Sequence, residues 1–198
     1  MFYNLARSVT KVVLWPFFAV SYTGQQNVPR EGGYILAPNH LTATDPLFVA
    51  WGVQDIVRYM AKAELFANPL SHFFFEKMLL SFAVNRGKGD IAAVERAEDV
   101  LRSGQVFGIF PEGTRSKTGQ LGRLHSGVFV IAASTDAVIV PVRIRVGKKR
   151  LFRRKIQVDF LPGKRPSEFG LEGGKPNRVA LKQCSEWLKC QLEGDAKE

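Results

Sequence analysis

Hydrophobic positions after Pro29 follow two patterns that alternate along the chain. Short apolar runs of the kind that form buried strands lie at 34–37, 56–61, 81–85, 105–110, 137–144 and 155–161. Segments with apolar residues at helical spacing lie at 46–53, 68–80, 91–103, 124–133 and 176–192. Strands that alternate with helices are typical of α/β proteins. The sequence therefore predicts a mixed, largely parallel sheet flanked by helices.

The first 23 residues show a separate amphipathic pattern. Apolar residues recur at helical spacing on one side, whereas Arg7, Ser8 and Lys11 lie on the other. The unbroken apolar run covers only 12–20, which is well short of the roughly 20 residues that span a bilayer. We therefore predict a helix at 1–23 that lies on a membrane surface, followed by one domain at 24–198. A cleaved signal peptide and a helix packed on the protein's own core are the alternatives.

Basic residues exceed acidic ones, 28 against 18, which gives a net charge of +10. This balance favours anionic partners such as lipid, an acidic carrier protein, a phosphorylated substrate or nucleic acid. No recognisable nucleic-acid-binding module is present, so we expect no nucleic-acid partner. The densest basic segment is 143–155, for which a solvated hairpin and a membrane-surface patch are the main interpretations. Cys184 and Cys190 lie on different faces of one predicted helix and are expected to be reduced.

The stretch "PNHLTATDP", residues 38–46, places a histidine and an aspartate directly after a predicted strand. In a continuous helix the side chains of His40 and Asp45 would point about 140° apart. Pro46 favours a helix that begins only there, and the preceding turn can then bring Asp45 back to His40. Such a pair can remove a proton from a hydroxyl or from water. The alternative is a capping aspartate, Thr44 or Asp45 being the expected cap, beside an unrelated loop histidine.

A second polar turn, "IFPEGTRSKTG" at 109–119, also follows a predicted strand. A glycine-bearing turn with hydroxyls and an arginine suits a phosphate, because the guanidinium donates in a bidentate manner. The spacing of a Walker loop is absent, and an ordinary surface turn is the alternative. The side chains gathered here belong to Glu112, Gly113, Thr114, Arg115, Ser116 and Lys117.

Taken together, "NHLTATDP" and "FPEGTRS" resemble the two signature blocks of the glycerolipid acyltransferases, in particular the 1-acyl-sn-glycerol-3-phosphate acyltransferase family. "AKAELF" at 61–66, "AVNRG" at 83–87 and "VIVPV" at 138–142 are similar to secondary blocks of that family, in the same order. Downstream of the second block the family often carries Lys-x-Gly, and here the chain reads His125-Ser126-Gly127. This departure leaves the identity of the acceptor open.

The resemblance implies an acyltransferase domain that moves an acyl group from a thioester, acyl-CoA or acyl carrier protein, to a lysophospholipid hydroxyl. His40 would be the general base and Asp45 would orient it, without a covalent enzyme intermediate, a cofactor or a metal. Arg115 and its neighbours in the turn would hold the acceptor's phosphate, and Glu112 would help to shape that pocket. Arg86 and Lys62 are further candidate contacts to phosphate or donor.

The simplest expected reaction makes phosphatidate from 1-acylglycerol-3-phosphate. Membrane phospholipids are then expected partners, and the protein is expected to be monotopic on the cytoplasmic face of a membrane. Two classes of alternative remain from the sequence: an acyltransferase for another lysolipid, and a basic membrane-binding protein without catalysis.

Overall fold

The computed structural model describes residues 2–84, 90–150, 152–171 and 177–194. Seven strands form one sheet in the order β1-β7-β6-β2-β5-β3-β4. Among the described residues every neighbouring pair of strands is parallel except β6 and β7. The strands are β1 Phe18–Thr23, β2 Tyr34–Pro38, β3 Val57–Lys62, β4 Phe82–Val84, β5 Val106–Gly108, β6 Val138–Arg150 and β7 Arg153–Phe160.

Helices cover both faces of this sheet, because the residues of β2 alternate between two buried clusters. Ile35 packs with α4, α5 and α6, whereas Leu36 packs on the opposite face with α2. The helices are α1 Phe2–Leu14, α2 Asp45–Gly52, α3 Pro69–Phe73, which continues as a π-helix Phe74–Met78, α4 Ile91–Arg102, α5 Gly127–Thr135 and α6 Arg178–Glu193. The predicted mixed sheet flanked by helices is confirmed.

The amino-terminal helix is shorter than the sequence predicts. It ends at Leu14, and residues 18–23 form β1, which pairs with β7. Pro16 cannot donate the backbone hydrogen bond that would continue the helix. Beyond it Phe18, Val20 and Tyr22 alternate toward the core, which is the period of a strand.

One face of α1 packs on the protein and the other carries exposed apolar side chains. Tyr3 and Ala6 are buried, and Arg7 donates to the carbonyl of Trp51 over 3.1 Å. On the outer face Val12 and Val13 are 73% and 59% exposed. In the described part of the chain, no helix combines the length and the hydrophobicity needed to cross a bilayer.

β6 is longer than the strand beside it. It pairs with β2 only as far as Val142, and its remaining residues, 143–150, extend past the carboxyl end of β2. β7 runs back beside this extension, with Lys149 opposite Arg154. The described residues of the basic segment, 143–150 and 152–155, therefore belong to a hairpin arm that projects beyond the carboxyl ends of β2 and β5.

Candidate active site

His40 and Asp45 meet at the carboxyl end of β2. The Nδ1 atom of His40 lies 2.9 Å from Oδ2 of Asp45, and Asp45 is fully buried whereas the His40 side chain is 14% exposed. When Nδ1 carries the proton and donates it to the carboxylate, Nε2 keeps a lone pair. Within the described residues Nε2 has no hydrogen-bond partner. The arrangement is that of an oriented base.

The loop before α2 is folded around the carboxylate of Asp45. Its Oδ2 atom also accepts the backbone N–H groups of Leu41 and Thr42, over 2.6 and 2.7 Å, and the hydroxyl of Thr42 donates to Oδ1. The expected capping role is therefore wrong: Thr44, the residue at the cap position, makes no side-chain cap bond. Asp45, the first residue of α2, bonds backward to the loop, and Pro46 after it has no N–H to offer to a cap.

Glu112 ties the two sequence blocks together. Its Oε1 atom accepts the backbone N–H of His40 over 2.7 Å, and its Oε2 atom accepts that of Gly122 over 2.7 Å. In return, the N–H of Ser116 donates to the carbonyl of His40 over 2.8 Å. Glu112 is 5% exposed, so its carboxylate fixes the backbone of both loops and does not face the neighbouring cavity.

Asn39 anchors the same loop to β6. Its side-chain amide donates to the carbonyl of Ile144 over 3.0 Å and accepts the N–H of Ile144 over 2.7 Å. The pairing of β2 with β6 ends one residue earlier, at Pro38. The Asn39 side chain thus takes over as a strand partner at the point where the chain leaves the sheet, and His40 follows it directly.

A cavity of about 640 Å³ opens in front of His40. The imidazole stacks on Phe110, with ring centroids 4.0 Å apart, and Phe110 is stacked in turn by Tyr59 at 6.1 Å. Tyr59 is buried and donates its hydroxyl to the carbonyl of Pro46, and burial raises its pKa. These stacked rings form one wall of the cavity, and the exposed edge of the imidazole faces the cavity.

Cationic side chains line the other part of this cavity. Arg115 and Lys117 are exposed there and have no acidic partner among the described residues. Lys62 also lines it, but it is paired with Glu64 over 2.9 Å. The turn that presents Arg115 depends on Gly113, whose φ of +68° is a left-handed conformation.

An apolar cavity of about 480 Å³ adjoins the first one and shares Met60, Phe110 and Thr114 with it. Val94 from α4 and Ile131 from α5 contribute to its lining. Asp90 and His125 also line it, and most of its other lining side chains are apolar.

The structure brings most of the predicted site residues together. His40, Thr114, Arg115 and Lys62 line one cavity, Gly113 lines the adjoining one, and Asp45 and Glu112 support His40 from behind. Arg86 lies outside the described residues. Three further residues of the site, Asn39, Tyr59 and Phe110, were not predicted from the sequence. Two of these stand inside the quoted blocks, and that position was the available signal, whereas Tyr59 reaches the site only through the pairing of β3 with β5.

Comparison with known proteins places this site in a family. Residues 19–145 match the family model described as Acyltransferase. The 1-acyl-sn-glycerol-3-phosphate acyltransferase of Borreliella burgdorferi is 31% identical over 142 residues, which cover 71% of this chain and 57% of that protein. The Bacillus subtilis protein of the same name is 29% identical over 155 residues, 77% of this chain and 76% of its own length.

A chloroplastic relative and a crystal structure extend the comparison. The Arabidopsis thaliana 1-acyl-sn-glycerol-3-phosphate acyltransferase LPAT1 is 24% identical over 71% of this chain and 40% of its own length. This chain therefore spans about half the length of some of the curated relatives that it matches. The fold is that of the 1-acyl-sn-glycerophosphate acyltransferase PlsC from Thermotoga maritima, with a TM-score of 0.72, 21% identity, and 98% and 80% of the two chains covered. The resemblance read from the sequence is confirmed, and the chain belongs to the acyltransferase family.

Proposed function

We propose that this protein transfers an acyl group from an acyl thioester to the sn-2 hydroxyl of 1-acylglycerol-3-phosphate, which yields phosphatidate and a free thiol. The observation that carries the proposal is an oriented imidazole between a cationic rim and an apolar cavity. Those three features match the three parts of the reaction: a hydroxyl to deprotonate, a phosphate to hold and an acyl chain to shelter.

His40 acts as general base in the proposed mechanism. Its Nε2 atom takes the proton of the acceptor hydroxyl while the hydroxyl oxygen forms a bond to the thioester carbonyl carbon. The resulting tetrahedral species loses its C–S bond, and the imidazolium gives its proton to the leaving thiolate, which yields the free thiol and restores the neutral base. Asp45 holds the ring in the productive tautomer and stabilises its transient positive charge. The acyl group passes directly between the two substrates, without a covalent enzyme intermediate.

The acceptor's phosphate binds to the turn that carries Arg115. The guanidinium and the ammonium of Lys117 supply the charge, and Thr114 supplies a hydroxyl at the same rim. Lys62 and Arg86 are proposed as further contacts to phosphate or donor. The donor, acyl-CoA or acyl carrier protein, is a substrate, and the reaction requires no cofactor.

Membrane association follows from the nature of the acceptor, which resides in a bilayer. We place the protein as a monotopic protein on the cytoplasmic face. The exposed apolar face of α1 supports this position, and so does the basic hairpin arm.

Replacement of the base tests the mechanism. His40→Ala should lower the rate of thiol release from an acyl thioester, in the presence of lysophosphatidate, by about 10² or more. His72→Ala is the matched control, because His72 is an exposed histidine that pairs with Glu76 and lies outside the cavity. Near-full activity in purified His40→Ala protein would refute general-base catalysis by this residue.

A different lysolipid acceptor is the second candidate, and His125 favours it. A methyl group built on Gly113 would lie 3.3 Å from the His125 ring, so the histidine that stands in place of the Lys-x-Gly lysine borders the phosphate turn. A panel of lysophosphatidate, lysophosphatidylethanolamine and lysophosphatidylglycerol, compared by kcat/KM, discriminates these acceptors. Preference for a zwitterionic lysolipid would replace the phosphatidate assignment and retain the chemistry.

A further inference from the structure

A second concave surface lies between α1 and the hairpin arm, away from His40. It has a volume of about 700 Å³ and is bordered by the end of α1, by β1, and by both strands of the arm. Lys11, Arg153 and Lys155 supply cations to its lining, as does Arg145, which is paired with Asp159. Ser21 and Gln157 supply neutral polar groups. No acidic side chain is among the described residues that line it.

Arg153 fastens the arm to the end of α1. Its guanidinium carbon lies 4.7 Å from the centre of the Trp15 ring, and its Nη2 atom donates to the carbonyl of Phe18 over 2.9 Å. A guanidinium over the face of an indole is attracted by the negative face of the ring. The cavity therefore has fixed walls on both sides.

Cationic groups crowd this part of the molecule. Burial and the nearby Arg7 lower the pKa of Lys11. On the arm, Lys149 faces Arg154 and the segment between Gly147 and Lys155 contains no acidic residue. An anion bound here would reduce the mutual repulsion of these cations, because opposite charges attract.

Large apolar side chains surround the same cations. Trp15, Phe17 and Phe152 are 65%, 58% and 78% exposed. Aromatic side chains beside lysine and arginine are typical of proteins that rest at the headgroup level of a bilayer. An acidic protein partner would match the charges but would not account for the exposed aromatic rings.

The register of the strands sets the direction in which this surface points. Residues 143–150 of β6 continue past Val142, where the pairing with β2 ends, by roughly 26 Å at about 3.3 Å per residue. β1 begins beside this extension, with Phe18 opposite Arg154. The cationic and aromatic surface therefore lies beyond the carboxyl end of β2, which is the end of the strand that His40 follows.

We propose that the cavity between α1 and the β6–β7 arm binds the phosphate of an anionic membrane phospholipid, and that this contact sets the orientation of the enzyme on the bilayer. Lys11, Arg153 and Lys155 hold the headgroup, and Trp15, Phe17 and Phe152 enter the headgroup layer around it. The proposal deepens the membrane association proposed above, and it gives the basic arm a role separate from acceptor binding.

Partition of the full-length protein onto vesicles tests the site. Vesicles of phosphatidylcholine alone are compared with vesicles that also contain 30% phosphatidylglycerol, by flotation. The double variant Lys11→Gln/Lys155→Gln should lose roughly 10- to 30-fold of its partition onto the anionic vesicles. Its partition onto pure phosphatidylcholine should stay within about two-fold of the unchanged protein.

A matched control distinguishes binding at a specific site from an effect of the protein's net charge. Lys182→Gln/Lys189→Gln removes the same two charges from exposed positions of α6 and should lower anionic partition by less than about three-fold. Equal losses of anionic partition in the two double variants would show that only long-range electrostatic attraction is involved. That result would refute the proposed binding site. A Lys11→Gln/Lys155→Gln protein that keeps vesicle partition but no longer binds an acidic acyl carrier protein would assign the surface to that protein instead.

The partition measurement does not use catalysis, so its result is independent of the proposed reaction. An unchanged protein that binds anionic vesicles and releases no thiol with any lysolipid would refute the proposed function and leave the headgroup site in place. The opposite result, thiol release without any effect of the double substitution on partition, would refute the site alone.

Discussion

Two charged residues of one turn, Glu112 and Arg115, have opposite tasks although they stand three positions apart. The carboxylate of Glu112 is enclosed and bonded to the backbones of His40 and Gly122, so it fixes the position of the proposed base. Arg115 is exposed at the cavity and has no acidic partner among the described residues, so in the proposed function it is free to bind the acceptor's phosphate. This division should appear in the kinetics.

Glu112→Gln should lower kcat by about ten-fold and change the acceptor KM by less than about three-fold. The amide keeps one acceptor oxygen and leaves one of the two backbone donors without a partner, which loosens the position of His40. Arg115→Ala should instead raise the acceptor KM by about ten-fold or more, because binding of the phosphate is lost. Steady-state rates with lysophosphatidate as the varied substrate measure both parameters. A large KM effect in Glu112→Gln would show that its carboxylate contacts the acceptor.

The pair of His40 and Asp45 was accessible from the sequence because the turn is local, five residues long and followed by a proline. The clamp between Asn39 and Ile144 was not, since it joins residues 105 positions apart. The sequence suggested a cap role for Asp45 as well, and only the hydrogen bonds from Leu41 and Thr42 show that the carboxylate faces backward. Local chemistry was predictable, and long-range support was not.

At the level of elements, the contact of β5 with β3 supports the ring column behind His40. Gly108 stands opposite Tyr59 in the register of the two strands, and a methyl group at this glycine would overlap the Tyr59 ring. The missing side chain thus makes room for the tyrosine, which contacts both Phe110 and the start of α2.

Gly108→Ala should destabilise the fold by about 1–3 kcal/mol, the usual cost of overpacking a filled core. Displacement of Tyr59 should also lower the rate of acyl transfer in the protein that remains folded. Urea unfolding followed by circular dichroism gives the stability. Gly127→Ala is the comparison, because nothing lies within 4 Å of a methyl group at that helical position, and it should cost no stability. Equal stability of the two variants would contradict the packing argument.

Elements with a clear period were predictable, and β1 was not. The residues from Trp15 to Val20 are apolar without interruption. The hydrophobic pattern therefore does not show where the helix ends and the strand begins. The decisive factor is its partner: β1 becomes a strand because β7 lies beside it, and that neighbour is distant in sequence. The same distance explains why the length of β6 beyond Val142 could not be foreseen.

On the scale of the whole molecule, Asp159 joins the three strands at one side of the sheet. Its Oδ1 atom accepts from Thr23 of β1 over 2.6 Å and from Gln157 of β7 over 2.9 Å, and Oδ2 lies 2.9 Å from Arg145 of β6. Burial alone would raise the pKa of Asp159. The hydrogen bonds, together with the guanidinium groups of Arg145 and Arg143, outweigh it and hold the pKa below its ordinary 3.8.

Asp159→Asn should cost about 1–3 kcal/mol of unfolding free energy near pH 7, because it removes the buried charge that accepts from Thr23 and Gln157 and that faces the partly exposed Arg143 and Arg145. A lowered native pKa means that the ionised carboxylate stabilises the fold above pH 3.8, and that this stabilisation is lost as the pH falls through the native value. The difference between the two proteins should therefore shrink below about pH 4. Urea titrations from pH 7 to pH 3 measure it, with the exposed Asp99→Asn as a reference. A difference that stays constant with pH would exclude the charge of Asp159 as its source.

The pairing of β1 with β7 also has a consequence for the order of events during synthesis. Ser21 bonds to the carbonyl of Ile156, 135 residues later. At about 5–20 residues per second the ribosome needs on the order of ten seconds to deliver that partner. During this interval α1 and β1 have no sheet to join, while their apolar side chains have already left the ribosome. Under the membrane association proposed above, a bilayer can receive these side chains first, and we expect the chain to meet the membrane before its sheet is complete.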